Sequence, residues 1–369
     1  AASVGPKAMA HVIADVFGRH MQNEHPENIE KMFRRVYSSG FTQRPDLTVM
    51  GAFSGLEIAC WDILGKHRNR PVWALLGGKM NDRIRAYTYL YPLPHHDPVA
   101  FWTSPEMAAE SATDCVQRGY TAVKFDPAGP YTLRGGHMPA QSDITLSVAF
   151  CKAIRGAIGD QADLLFGTHG QFSTAGAIRL GQALEPYSPL WFEEPVPPDN
   201  LLEFHKIAKA VRIPVAAGER LTTKAEFATL LQTGGAEILQ PALGRAGGLW
   251  ETKKIAAIAE VFNAQLAPHL YAGPVEWAAN IQLAVSTPNL LMAETIETPF
   301  HSALICNALC VENGYITAPE TPGLGIQVDE ALARAHPYHG SGLHLEMQED
   351  PCNYQSGNAF LGGAPPARQ

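Results

Sequence analysis

Residues 163–172 read DLLFGTHGQF. Leu164, Leu165 and Phe166 make a short apolar run that stops at Gly167, Thr168, His169 and Gly170, the pattern of a strand buried on both faces that opens into a polar turn. From about Arg83 onward the theme repeats, in RAYTYL (85–90), AVKFD (122–126), LWFEEP (190–195), IPVAAGE (213–219), EILQPA (237–242), AQLAPH (264–269) and LLMAET (290–295). Helix signals lie between these runs. Ser104 and Pro105 open a stripe of Ala108, Ala112, Cys115 and Val116, and Thr223 with Glu226 reads as a capping box before Phe227, Leu230 and Leu231. Eight parallel strands with right-handed helical crossovers, their later tips recurring every ~25 residues, close most naturally into a barrel. The expected fold class is therefore α/β, a modified TIM-like (β/α) barrel, with an open doubly wound sheet as the weaker alternative.

The flanks differ in character. Residues 1–84 are mainly helical, in HVIADVFGRHM, ENIEKMFRRVYSS and SGLEIACWDILGKH, and the segment 309–369 is rich in turns. The expected organisation is a barrel over 85–308 and a smaller α+β capping domain built from both flanks.

At 369 residues and 46% hydrophobic, the chain has enough apolar surface for a large core, which excludes disorder. A formal charge of -8 without any dense basic run gives no reason to expect nucleic acid or an anionic membrane as partner. No stretch reaches the roughly 18 to 20 unbroken apolar residues of a membrane span, so the cytoplasm is the expected location. Six cysteines without CxxC spacing suggest neither zinc knuckle nor disulfide framework, and Cys306 and Cys310 are expected to share a helix face.

The strand tips carry more chemistry than a structural barrel requires: Lys124 and Asp126, His169, Glu193 and Glu194, Glu219 and Arg220, His269, and Glu294. Lys124 and Asp126, two apart, project together. Glu193 and Glu219 end neighbouring strands, where paired carboxylates call for a shared cation, and Mg²⁺ with its oxygen ligands suits them. Taken singly, each tip has a bland reading as a polar loop residue or a hydrogen-bonded structural histidine. Their agreement at barrel tips favours chemistry. The glycines of AGGLWE (246–251) lack both GxGxxG and GxxxxGK[ST], which favours tight turn packing over a phosphate site.

In KFDPAGPY, HGQF, WFEEPVPPDN, AAGERL, ILQPALGRAGG, APHLYAGP and PGLGI, the chain resembles the mandelate racemase branch of the enolase superfamily, most closely its gluconate and galactonate dehydratases. The resemblance implies Mg²⁺ as cofactor, held by Glu193 and Glu219, with Lys124, His169, His269 and Glu294 as catalytic groups and Arg220 and Tyr271 as substrate contacts. It implies removal of the proton α to a carboxylate, a metal-stabilised ene-diolate, and loss of the β-hydroxyl to give a 2-keto-3-deoxy sugar acid. A sugar acid as partner and a homo-oligomer, dimer to octamer, follow from the same likeness. Two positions depart from it. Gly167 stands where the family has its third-strand metal carboxylate, and Asp126 is the expected replacement. Ala242 stands where an aspartate usually supports the seventh-strand histidine, so His269 is expected to lack its carboxylate. By the same likeness, the family's leading strand hairpin is expected to be missing from residues 1–84. A racemase, epimerase or cycloisomerase on a related hydroxy acid, or a catalytically degenerate binding scaffold, are the alternatives these departures leave open.

Overall fold

The computed structural model describes residues 5–44, 46–126, 128, 135–306 and 309–337. The end of the expected capping segment, 338–369, and most of the PAGPY stretch after Asp126 lie outside the described residues.

All eight expected strands form: β1 (Arg83–Tyr89), β2 (Ala122–Phe125), β3 (Asp163–Gly167), β4 (Trp191–Glu193), β5 (Val215–Ala217), β6 (Ile238–Leu239), β7 (Gln265–Leu266) and β8 (Ala293–Thr295). Four short strands follow that the sequence reading did not anticipate: β9 (Ile305–Cys306), β10 (Val311–Glu312), β11 (Tyr315–Thr317) and β12 (Gln327–Val328). The main sheet runs β10-β11-β1-β2-β3-β4-β5-β6-β7, and β8 pairs with β1. Residues 289–291 pair with Leu266 of β7, so the eight-strand ring closes as a TIM-like barrel requires.

Several strands are shorter than their apolar runs for a local reason. His169 (φ +50°), Glu194 (φ +41°) and Gly218 (φ +130°) adopt positive φ just past β3, β4 and β5, which breaks the extended ladder at the tip.

Register decides which side chains share a face. Tyr89 lies opposite Lys124, Lys124 opposite Leu165, and Gly167 opposite Glu193. Paired and alternate residues point the same way, so Tyr89, Lys124, Gly167 and Glu193 lie on one face and Asp126 continues it. On the other face Phe125, Phe166 and Phe192 form a cross-strand row, with ring centroids 5.4 and 5.7 Å apart. The helix over Pro105–Gln117 starts as expected, with Ser104 Oγ accepting from Met107 N at 3.3 Å. At Lys224–Gln232 the tie moves by one residue: the Glu226 carboxylate accepts from Thr222 N and Oγ1, both at 2.7 Å.

By contacts the chain divides into two compact units. One contains residues up to Ala86 with Gly218–Thr229 and the segment from Leu239; the other contains Tyr87–Ala217 and Leu230–Ile238. The boundary passes through β1 and β6.

The helix Leu47–His67 is central to the first unit. It is long and apolar enough to cross a membrane by length and composition, but half of its apolar window is buried inside the protein. Met50, Phe53, Ile58, Trp61 and Leu64 belong to a core cluster with Met32, Phe33, Leu249, Ile305 and Leu324. The PGLGI turn is tied to it, since Leu324 N–H donates to Asp62 Oδ1 at 2.9 Å and a Cβ on Gly65 would come within 2.6 Å of Gly323 Cα. Glycine at 65 is a close-approach requirement. Cys306 lies in β9 and Cys310 outside any helix, so their expected shared helix face does not form. Backbone pairing of Ile305–Cys306 with Gln327–Val328 overrides the helical reading there.

The AGGLWE turn receives a carboxylate from within the chain. Glu57, 1% exposed, accepts from Leu249 N at 2.8 Å, Trp250 N at 2.9 Å and Trp61 Nε1 at 2.6 Å. These donors include the first turn of the helix Gly248–Val261, so Glu57 caps its N-terminus from another element. A Cβ on Gly248 would overlap this carboxylate, which explains the glycine as turn packing. Burial pushes the Glu57 carboxyl up to about 7, with the three N–H donors pulling the other way.

Candidate active site

In the second unit Lys124, on β2, is fully buried, and its ammonium pairs with Glu193 Oε1. Burying a cation of this size is costly unless it is matched, and Glu193 supplies a carboxylate to match it. The lysine Nζ also sits 4.7 Å from the Tyr89 ring centroid and 6.0 Å from that of Tyr87, a cation–π setting. The other oxygen of Glu193 accepts from Trp191 Nε1 at 2.9 Å, and Trp191 packs edge-on against Tyr87 at 5.3 Å.

Asp126, one residue past β2, is buried, and its Oδ2 lies 2.9 Å from His169 Nδ1. The histidine is held in the left-handed region at φ +50°, a conformation a non-glycine residue adopts at a cost, followed by Gly170 at φ +68°. The turn is pinned from β4: Thr168 Oγ1 donates to the carbonyls of Glu193 and Glu194, both at 2.8 Å, and Gly170 N–H donates to Glu194 O at 2.6 Å. Gly167 answers to the same carboxylate. A Cβ built there would overlap Asp126 Oδ1 and come within 3.2 Å of Lys124 Cε.

In the first unit Glu219, two residues past β5, is clasped by Arg245, whose Nη1 lies 3.1 Å from the Glu219 carbonyl and 3.2 Å from Oε1. His269, three residues past β7, has Nε2 3.5 Å from Glu219 Oε1 and Nδ1 3.2 Å from Glu294 Oε2. The expectation that Ala242 leaves His269 without a carboxylate is therefore corrected: β8 supplies Glu294, 1% exposed and fixed by Leu270 N–H at 2.6 Å. Tyr271 is partly exposed, and burial together with the Glu294 charge raises its phenol. Arg220 follows Glu219 and is half-buried.

The strand ends thus carry two sets of groups, Lys124, Asp126, His169 and Glu193 in one unit and Glu219, His269 and Glu294 in the other. Arg245 and the Trp191 indole were missed by sequence reading. For Arg245 the signal was an arginine inside the otherwise apolar PALGRAGG, at the tip that follows β6. His169 has a carboxylate at Nδ1, which favours its Nε2 as the atom that exchanges protons, whereas His269 has a carboxylate near each ring nitrogen. Asp126 and Glu193 in the second unit, and Glu219 in the first, offer hard oxygen donors, a chemistry that fits Mg²⁺. Within the second unit the Asp126 carboxylate fills the side-chain space at Gly167.

A separate cluster lies in the loop after β1. His95 Nε2 and His96 Nε2 sit 2.9 and 3.0 Å from the two oxygens of Glu110. His96 Nδ1 accepts from Leu93 N–H at 3.1 Å, so its Nε2 carries the proton and donates to Glu110. The trio is a loop clip whose His96 nitrogen is already committed.

Comparison with known proteins shows the family of the chain. Residues 106–332 match the family described as Enolase C-terminal domain-like, and residues 1–77 match the mandelate racemase / muconate lactonizing enzyme N-terminal domain. The D-gluconate/D-galactonate dehydratase of Picrophilus torridus is 36% identical over 315 residues, 85% of this chain and 78% of that protein. The D-xylonate dehydratase of Haloferax volcanii is 34% identical over 304 residues, 81% and 72% of the two chains. Among solved structures, a mandelate racemase/muconate lactonizing enzyme-like protein from Roseovarius sp. TM1035 is 78% identical, with a TM-score of 0.95 over 96% of this chain and 89% of that one.

Proposed function

The chain belongs to the enolase superfamily, in its mandelate racemase/muconate lactonizing branch, and from that premise we propose that it is an acid-sugar dehydratase acting on aldonates. The observation that carries this reading is the fully buried Lys124 ammonium paired with Glu193 at a strand end, beside the buried Asp126 carboxylate, a charged cluster that apolar barrel packing does not require. The names of the relatives, dehydratases of gluconate, galactonate and xylonate, support the substrate class.

In this reading Asp126, Glu193 and Glu219 would hold a divalent ion, Mg²⁺ by donor chemistry, and that the three share one ion follows from the family's ligand pattern. The ion, when bound, supplies positive charge to the substrate carboxylate. Lys124 adds a fixed cation in a dry setting, where it stabilises negative charge developing on that carboxylate as the α C–H bond breaks. His169 and His269 divide the proton transfers: one takes the α proton, and the other protonates the β-hydroxyl so that it leaves as water. The resulting enol becomes the 2-keto-3-deoxy acid. Arg220 and Tyr271 are proposed to contact the polyol chain, Glu294 to hold His269, and the enzyme to act as a homo-oligomer in the cytoplasm.

The test is to incubate the purified protein with a panel of aldonates and aldarates, with and without Mg²⁺, and to measure 2-keto acid formation. Mg²⁺-dependent product from an aldonate is the expected result. Epimerised or ring-closed substrate without 2-keto acid would move the protein to the racemase or cycloisomerase class, and no change in any substrate would favour a binding scaffold.

A further inference from the structure

Gly167 does not stand in β3 for its backbone, because its φ lies outside the left-handed region and any residue could adopt it. It stands there for space. The point where its Cβ would be is already taken by Asp126 Oδ1, with the Asp126 Cγ at 3.0 Å and the Lys124 stem at 3.2 Å. Register puts Gly167 directly opposite Glu193, so a carboxylate in that space lies on the same face as the Glu193 carboxylate. The second oxygen of Asp126 is meanwhile 2.9 Å from His169 Nδ1.

We propose that Asp126 and Gly167 are a coupled pair: the end of β2 supplies the carboxylate that would otherwise project from β3, and this exchange joins the metal-ligand position to His169. One oxygen enters the volume left by Gly167 beside Glu193 and serves as a ligand atom, and the other fixes the imidazole through Nδ1. A side chain at 167 larger than hydrogen expels the carboxylate and presses on the lysine stem. A carboxylate returned to 167 would restore a ligand but leave His169 without its partner, so the two arrangements are not equivalent. The inference rests on the proposed function only for the presence of a divalent ion.

The experiment is calorimetric titration of Mn²⁺ into the full chain and three variants, alongside ¹⁵N NMR of the His169 ring. Gly167→Ala and Asp126→Asn should each weaken Mn²⁺ binding by ~10-fold or more. The exchange variant, Asp126→Ala with Gly167→Asp, should recover most of that affinity, while its His169 ring loses the single tautomer of the parent and averages between two. Asp126→Asn is nearly isosteric and decides alone if circular dichroism shows Gly167→Ala to be unfolded. Unchanged Mn²⁺ affinity in Asp126→Asn, no Mn²⁺ binding by the parent, or an exchange variant that recovers nothing would each overturn the pair. Neither readout uses a sugar acid, so a failed substrate scan would discard the dehydratase reading and leave the pair standing.

Discussion

Glu193 and Glu57 are both buried glutamates, each 1–2% exposed, and each accepts a hydrogen bond from a tryptophan indole, Trp191 in one case and Trp61 in the other. They differ in what balances the charge. Glu193, at the tip of β4, faces the Lys124 ammonium, whereas Glu57, on the helix Leu47–His67, is hydrogen-bonded by neutral N–H donors at the start of another helix, with the Lys254 charge a lesser influence. The neutral setting leaves desolvation dominant, and the Glu57 carboxyl moves up to about 7. The raised Glu57 carboxyl thus belongs to a structural cap, while Glu193 belongs to a buried ion pair at a strand end. A perturbed pKa by itself therefore does not mark a functional glutamate.

The largest effect expected from breaking this contrast is that of Lys124→Met. Removing the ammonium strands a buried carboxylate, which costs about 3 to 5 kcal/mol of stability in urea unfolding and lowers dehydration by ~10²-fold or more. A variant that keeps full stability would show that Glu193 does not depend on the lysine.

Next in size is the pH dependence that Glu57 imposes. Its folded-state pKa of about 7 lies above the ordinary 4.5, so the folded state holds a proton that the unfolded chain has released. The stabilisation is complete below the ordinary value and is lost as pH rises through about 7, a loss of roughly 3 kcal/mol across that window. Glu57→Gln should flatten this slope between pH 4.5 and 7 in thermal melts; an unaltered slope would assign it to other groups.

The smallest effects sharpen the comparison. Trp61→Phe and Trp191→Phe each delete one indole hydrogen bond to a carboxylate, worth about 1.5 to 3 kcal/mol. Trp61→Phe should cost more, because Glu193 still has its lysine after Trp191→Phe. Equal losses would mean that the cation contributes nothing to holding Glu193.

Much of the second unit's chemistry was legible because strands translate spacing into direction. Lys124 and Asp126 are two apart, and the apolar runs of AVKFD and DLLFGTH mark their own ends. The chemistry of the first unit was harder to read. Arg245 reaches Glu219 from 26 residues downstream, and Glu294 reaches His269 across a gap filled by a whole helix. No local period connects such residues. Ala242 misled for the same reason: the absence of one carboxylate in the sequence carries no information about another that packing brings to the same imidazole.

The sequence by itself determined the eight strands, the helices between them, and which tips carry acids, lysine and histidine, because periodicity and turn residues act over a few positions along the chain. Tertiary structure alone decided how the charges are matched. Only strand register put Gly167 opposite Glu193, only packing put the Asp126 carboxylate into the space at Gly167, and only the approach of one helix to the start of another made Glu57 a cap. Matching of buried charge depends on distances of a few ångströms between residues far apart in the chain, and those distances exist only once the fold has closed.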